Sequence, residues 1–291
     1  MQLHQVEYFL AVVDHGGINA AATSLDLAQP TVSQAIRELE RHLGVELFHR
    51  IGRGMVLTSA GHAFTGPARR LMRGVVAAEG TLPDAVGHLR GRLDICAQPS
   101  LAADPVARLV GAFRRQHRKV FIRISDLRDE ETATTLLRDG HCELLFCHLP
   151  IPGLDGLDVI ELGVQEYAMV FPPGTALPPE DPLPLSELPD IPQVVVPRGG
   201  SYLGQFERAL AESGQVRRPA VVVQHREARL PYVLAGVGCT FMERSAAEEA
   251  AAARGVVVRM TDATISPPYG LVYDTSALSP AGRAFVELAQ R

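Results

Sequence analysis

Residues 18–43, INAAATSLDLAQPTVSQAIRELERHL, constrain this chain more than any other stretch. Their spacing predicts two short helices joined by a tight turn. Counting about 100° of rotation per residue from Val32, the side chains of Ala35, Ile36, Leu39 and Leu43 fall within about 50° of one direction, a single stripe to bury. Pro30, Ser33, Gln34, Arg37 and Arg41 lie at about 100° to 200°, so the opposite face carries hydroxyl, amide and guanidinium groups and is left for a partner. Pro30 lacks an N–H and has a fixed φ, which suits the first helical position and makes Gln29 the cap. The preceding helix packs through Ile18, Ala21, Ala22 and Leu25, and Asp26-Leu27-Ala28 is a turn of helix-turn-helix length. Taken alone, the segment also fits an ordinary amphipathic helical hairpin.

Its flanks narrow the reading. Leu3, Val6, Phe9, Leu10 and Val13 recur at three and four residues, giving a buttressing helix that Gly16-Gly17 ends. After Leu43-Gly44, the alternation of Val45, Leu47, Val56 and Leu57 about Gly52-Arg53-Gly54 predicts a hairpin wing. Between residues 1 and 60, Arg37, Arg41, Arg50 and Arg53 face six acids, Glu7, Asp14, Asp26, Glu38, Glu40 and Glu46, and the whole chain carries a net charge of −5. Affinity for a polyanion must then come from where the arginines sit and from pairing of subunits, because net charge does not supply it.

From Phe64 onward, Ala68, Leu71, Val75, Ala78, Leu82 and Leu89 mostly keep spacings of four and three, a heptad-like seam on one long helix that needs a partner. Pro67 would kink such a helix if it already runs from Ser59, and Gly80 to Pro83 would end it. At Gly91 the texture changes. LDICA (93–97), VFIRI (120–124), ELLFC (143–147), YAMVF (167–171), QVVVP (193–197), AVVVQ (220–224), CTFM (239–242), VVVRM (256–260) and YGLVY (269–273) read as strands. Helical stretches fall around 104–117, 130–139, 201–213, 227–236, 245–254 and 279–290, and this alternation predicts parallel sheets wrapped by helices. Chain length leaves room for two or three domains, and a hydrophobic share of 46% against 21% charged is ordinary for a packed core. The overall class is α/β.

From Met1 to Gly61 the sequence resembles the winged helix-turn-helix of the LysR-type bacterial transcriptional regulators. Leu3 and Phe9, the run AATSLDLAQPTVSQAIRELERHLGVELFHR and the segment GRGMVLTSAG carry the likeness. It continues more weakly through the rest of the chain. The resemblance implies an N-terminal all-α winged helix-turn-helix over 1–58, a linker and dimerisation helix over 59–90, and a two-lobed effector-binding domain of the type 2 periplasmic-binding-protein fold over 91–291. Crossings near Gly163 to Gln165 and Ala263 to Ser266 would divide this into lobe I, about 91–163 and 266–291, and lobe II, about 165–263. It implies double-stranded promoter DNA, a small-molecule effector, self-association into a homodimer or homotetramer, and RNA polymerase as partners, with no membrane. On this reading Gln29, Pro30, Thr31, Ser33, Gln34 and Arg37 approach bases or backbone in the major groove, and Arg50 and Arg53 of the wing reach phosphate or the minor groove. Arg41 is open between DNA and the neighbouring Glu38 and Glu40.

Effectors in open α/β folds sit beyond the carboxyl ends of strands, where helix N-termini present free N–H groups. Ser100 and Leu101 follow the first strand, at a place where the family commonly uses a Ser or Thr. Gly199, Ser201 and Tyr202 follow QVVVP in a glycine turn shaped for a carboxylate or phosphate, although Ser201 also fits a plain helix cap. Arg128, His148, His225 and Arg226 would face the same cleft. With arginines and helix N-termini nearby, an organic acid is the favoured effector class.

Other chemistries lack their spacing. GGSYL has no glycine two residues after Ser201 for a nucleophile elbow, no HExxH occurs, and Gly236-Val237-Gly238 lacks the third glycine of a dinucleotide loop, so neither an enzyme nor a cofactor is expected. Cys96, Cys142, Cys147 and Cys239 form no CxxC and read as buried thiols; residues 148–238 contain none, which argues against a peroxide-sensing pair in mid-domain. The absence of a long apolar run or a basic, apolar start predicts a cytoplasmic protein. A transporter's solute-binding protein is the alternative with the same C-terminal fold.

Overall fold

The computed structural model describes residues 1–51, 54–80, 89–127, 129–197, 201–215 and 219–291; the side chains of Arg50, Ile51, Gly54, Glu79, Gly80 and 201–203 fall outside that description. The head is built from α1 (Leu3–His15), α2 (Ile18–Ser24), α3 (Gln29–Leu43) and the hairpin β1 (Phe48–Ile51) and β2 (Gly54–Leu57). Gly16 takes the left-handed conformation that ends α1. Asp26, also left-handed, turns the chain between α2 and α3, with the Leu27 N–H donating to Ala22 O at 2.9 Å. The stripe read from sequence is the stripe that is buried: Val32, Ala35, Ile36 and Leu39 are at most 5% exposed. They close over Phe9, whose ring meets Phe48 at 5.3 Å and Phe64 at 5.2 Å. Aromatic contacts of this kind add to the area each ring removes from water.

Two details of α3 differ from expectation. The cap is Ala28, not Gln29, and Pro30 takes the second helical position, where its missing N–H is still harmless. Ser33 is only 6% exposed, because it sits at the edge of the apolar stripe.

The linker helix α4 (Ser59–Gly80) runs continuously through Pro67. Thr58 starts it: its hydroxyl accepts the Gly61 N–H at 2.9 Å and donates to Glu46 O at 2.7 Å. The expected seam is split. Phe64 and Ala68 pack into the head of their own chain, whereas Ala63, Pro67, Leu71, Gly74 and Ala78 form an exposed, uncharged line on α4 bordered by the exposed His62 and Arg70. The shift follows from Phe9, which draws the Phe64 side of α4 into the head. Residues 81–88, with Leu82 and Pro83, lie outside the described residues.

Lobe I contains β3 (Arg90–Ala97), the short turn α5 (Pro99–Leu101), α6 (Ala107–Gln116), β4 (Lys119–Asp126), α7 (Ala133–Arg138), β5 (Leu144–His148) and β6 (Asp158–Val164), completed by the returning β12 (Pro268–Tyr273) and α11 (Pro280–Ala289). Its sheet runs β4-β3-β5-β12-β6. Lobe II contains β7 (Tyr167–Phe171), β8 (Gln193–Val195), α8 (Ser201–Glu212), β9 (Pro219–Val222), α9 (Arg229–Leu234), β10 (Thr240–Glu243), α10 (Arg244–Arg254) and β11 (Val257–Arg259).

Each of the strand segments expected from sequence forms, with shifted ends, and β6 is an addition that sequence missed. Only Ile160 and Leu162 of this edge strand join a core, while Val159 and Val164 are exposed, so its apolar pattern is blurred. The expectation of parallel sheets holds only in part. β3 is parallel to β4 and β5, and β8 to β9, but β12 is antiparallel to β5 and β6, and β7 is antiparallel to β10 and β11. The chain crosses between lobes twice, and a strand that arrives by such a crossing is not bound by the right-handed strand-helix-strand connection that makes neighbours parallel. The two crossings touch where the Gln165 N–H donates to Pro267 O at 2.9 Å.

Candidate nucleic-acid interface and inter-lobe site

On α3 the exposed positions are Gln29, Pro30, Thr31, Gln34, Arg37, Arg41 and His42. Gln34 Nε2 donates to Glu38 Oε1 at 2.8 Å, and Gln5 Nε2 of α1 donates to Glu38 Oε2 at 3.1 Å, so the carboxylate fixes the Gln34 amide against the buttress helix. Glu40 is used elsewhere: its Oε1 accepts the Leu47 N–H at 2.9 Å and the Phe48 N–H at 3.3 Å, which fastens β1 to α3. Both acids that could have neutralised Arg41 therefore have other work. Arg37, exposed and with no ion pair among the described residues, projects from the same face as Gln34. Ser33 is set apart from this face by burial. Arg50 lies on β1 with its backbone opposite Met55, and its side chain, like all of Arg53, lies outside the described residues.

The second site is a polar network where the lobes meet. Gln98, just after β3, is 8% exposed; its Oε1 accepts the His148 N–H at 2.7 Å and its Nε2 donates to Glu130 Oε1 at 2.7 Å. His148 is 4% exposed and its Nε2 lies 2.8 Å from Gln165 Oε1, the same atom that accepts from Tyr167 OH at 3.0 Å. Gln165 Nε2 in turn donates to Ser100 O at 3.4 Å, and the Arg226 charge acts on Tyr167 from the lobe II side, so the two lobes meet around one carboxamide. Beyond it, Arg226 pairs with Glu243, and Arg229 Nη2 lies 3.1 Å from Glu243 Oε2.

Electrostatics follow from burial and partners. Burial pushes the Tyr167 hydroxyl up to about 12, with the Glu243 charge adding to it. Burial also holds His148 below the ordinary imidazole value; the Gln165 bond opposes this and the Arg226 charge reinforces it. For Glu243, burial acts upward but is outweighed by Arg226 and then Arg229, so its carboxyl titrates below the usual range.

Of the residues singled out in the sequence, Ser100, His148 and Arg226 meet here. Leu101 does not: it is fully buried in the core of lobe I and its N–H is taken by Gln98 O at 2.9 Å. A leucine in the first turn after β3 points back under the sheet, which removes it from the cleft. His225 is exposed. Arg128 and Gly199 lie outside the described residues, as do the side chains of Ser201 and Tyr202 at the start of α8. Gln98, Gln165, Tyr167, Arg229 and Glu243 were not identified as site residues. The available signal was a polar residue flanking an apolar strand, as in Gln165 and Tyr167 at YAMVF and Glu243 after TFM.

Among the described residues, no helix is long and apolar enough to cross a membrane, and no cluster of three or more His, Cys, Asp or Glu could hold a metal ion. Cys96, Cys142, Cys147 and Cys239 are all buried and none forms a disulfide.

Comparison with known proteins agrees with both parts of the chain. Residues 3–62 match the family model of the bacterial regulatory helix-turn-helix protein, lysR family, and residues 87–291 match the LysR substrate binding domain. The chain is 30% identical to the HTH-type transcriptional regulator TfdS of Cupriavidus pinatubonensis over 100% of this chain and 98% of that protein. It is 28% identical to the RuBisCO operon transcriptional regulator of Allochromatium vinosum over 99% of this chain and 95% of that one. The crystal structure of CbnR, a LysR family transcriptional regulator, has the same fold, with a TM-score of 0.70 at 22% identity over 100% of this chain and 99% of that chain. A transporter's solute-binding protein is not favoured, since it leaves the regulatory helix-turn-helix match over residues 3–62 without a purpose. With head and lobes matched together, the chain belongs to the LysR family of bacterial transcriptional regulators and is a DNA-binding regulator carrying a substrate-binding domain.

Proposed function

We propose that this regulator acts in the cytoplasm, without catalysis of its own, as a homodimer or homotetramer that reads a partly palindromic promoter and answers to a small organic acid bound between its lobes. Gln29, Pro30, Thr31, Gln34 and Arg37 approach the major groove, with Arg50 and Arg53 of the wing on the flanking backbone. The uncharged stripe from Ala63 to Ala78 supports pairing of linker helices. The bounds that go with this reading are a head over 1–58, a linker over 59–90 and an effector domain over 91–291.

The observation that carries the effector reading is Gln165, whose carboxamide bonds Ser100 O and His148 Nε2 of lobe I and Tyr167 OH of lobe II at once. A ligand that enters there competes for those bonds and so acts on the lobe arrangement directly. Its differential affinity for two arrangements is transmitted through the linker to the spacing of the DNA-reading heads, where RNA polymerase senses the outcome.

The test is a gel shift of the full chain on the DNA upstream of its own gene, at stated salt, with a panel of organic acids. Specific retardation whose pattern changes with one acid supports the reading. Retardation equal to that of unrelated DNA overturns the promoter assignment, and indifference to every acid overturns the effector class.

A further inference from the structure

Apart from the inter-lobe site, a cavity of about 490 Å³ lies where the head meets lobe I. This is within the range of small-molecule sites, about 300–1,000 Å³. One side is apolar, formed by Leu10 and Leu25 of the head and by Met72 and Val76 of α4. The other side carries the guanidinium groups of Arg69, Arg73, Arg92 and Arg123.

The acids of this cavity are already engaged. Asp14 pairs with Arg69. Asp94 Oδ1 accepts Nε of Arg92 at 2.9 Å and Nε of Arg123 at 2.8 Å. Glu143 Oε2 accepts the Ser279 N–H at 2.9 Å, and burial raises its pKa. Glu7 and His15 stand exposed at the rim. The donors are only partly met: Arg69 pairs with Asp14 and Arg73 Nη1 donates to Cys142 O at 2.9 Å, while Nε of each is buried without an acceptor and the Arg69 side chain is 10% exposed. A buried donor without a partner is costly, and a buried guanidinium more so. Arg69 and Arg73 are four apart on α4, hence neighbours on one face, and Met72 and Val76 repeat the same spacing beside them.

We propose that this interdomain cavity is a second ligand site, which binds a small amphiphilic carboxylate through the guanidinium groups of Arg69 and Arg73 and rests its apolar body on Leu10, Leu25, Met72 and Val76. Guanidinium and carboxylate match in shape and charge, and the adjacent apolar wall selects an organic acid over inorganic anions. Because the walls come from head, linker and lobe I, the ligand favours the docked position of the head. It thereby acts on DNA reading without passing through the cleft between the lobes.

The test is hydrogen–deuterium exchange of the full-length chain with benzoate as the probe and benzamide as its neutral counterpart. The expected result is saturable slowing of exchange in residues 7–15 and 69–76, with benzamide at least about tenfold weaker. Arg73→Gln should weaken benzoate at least about tenfold, and Ala11→Phe, which fills the apolar side, should do the same. The wild-type pattern and the benzamide comparison decide the matter by themselves if either variant fails to fold. Protection confined to residues 98–101 and 225–229, equal protection by benzamide, or none up to about 10 mM benzoate would each overturn the proposal.

Discussion

Nε2 of His148, at the end of the last parallel strand of lobe I, lies 2.8 Å from Oε1 of Gln165, on the segment that crosses into lobe II. An amide oxygen only accepts, so Nε2 carries a proton, and burial outweighs this bond in favouring the neutral ring. The same oxygen takes the Tyr167 hydroxyl at 3.0 Å. The junction of the lobes is thus fixed by hydrogen bonds to a single carboxamide, and the neutrality of His148 is part of that arrangement.

Stability should therefore fall on mild acidification. Burial first, opposed by Gln165 and reinforced by Arg226, keeps the folded His148 pKa below its ordinary value. The unfolded chain binds the extra proton near its own value of about 6.5, so the contribution is complete above that pH and is lost as pH falls through the folded pKa. His141 shifts the same way, by burial and then by Arg69. Thermal melts from pH 7 to pH 5 should show a declining Tm, with a shallower decline in His148→Gln; an identical slope would remove His148 from this account.

Glu243→Gln should destabilise lobe II strongly. Glu243 is 8% and Arg229 5% exposed, and the substitution leaves the guanidinium groups of Arg226 and Arg229 without their counter-charge. Breaking a buried pair on one side costs about 3–5 kcal/mol. Urea unfolding of the variant measures it, and a loss below about 1 kcal/mol would mean that the triad is solvated.

Arg37→Ala should weaken promoter binding by about 1–3 kcal/mol, the cost of one base-reading arginine. Ser33→Ala should change it by less than about 0.5 kcal/mol, because Ser33 is 6% exposed and faces the head rather than the groove. Gel shifts at one fixed salt concentration compare the two; equal effects would contradict the division of the α3 surface.

Gly61→Ala should unsettle the head. A Cβ at this position collides with the Leu47 carbonyl oxygen and comes within 2.7 Å of the Leu57 side chain, where the start of the linker helix crosses the wing. Overpacking of this kind costs about 1–3 kcal/mol. Loss of DNA affinity together with earlier melting is the expected outcome, and a wild-type melt would show that the wing yields.

Tyr167→Phe should alter the response to effector more than basal DNA binding. The substitution removes the hydroxyl bond to Gln165 at the lobe junction, whereas the ring itself remains stacked on Phe241 with centroids 5.2 Å apart. Ser100→Ala should act in the same direction. Dose–response curves in the gel shift distinguish the variants, and two unchanged curves would move the effector elsewhere.

What the sequence determined by itself was local and periodic. The apolar stripe of the third helix follows from helical rotation alone, so Val32, Ala35, Ile36 and Leu39 could be placed inside and Gln34 and Arg37 outside before any fold was known. Strands such as ELLFC and YAMVF were legible because strands covered on both faces are continuously apolar. Tertiary structure decided the rest. Phe64 turned inward because Phe9 offered an aromatic partner from a distant helix, and Ser33, at the edge of the apolar stripe, was covered by the packed head. Leu101 went to the core although it borders Ser100, and Tyr167 and Glu243 became site residues only when two strands far apart in sequence were brought to one junction. Period and propensity act between neighbours in the chain, whereas a polar network between lobes depends on long-range register, which no short window of residues contains.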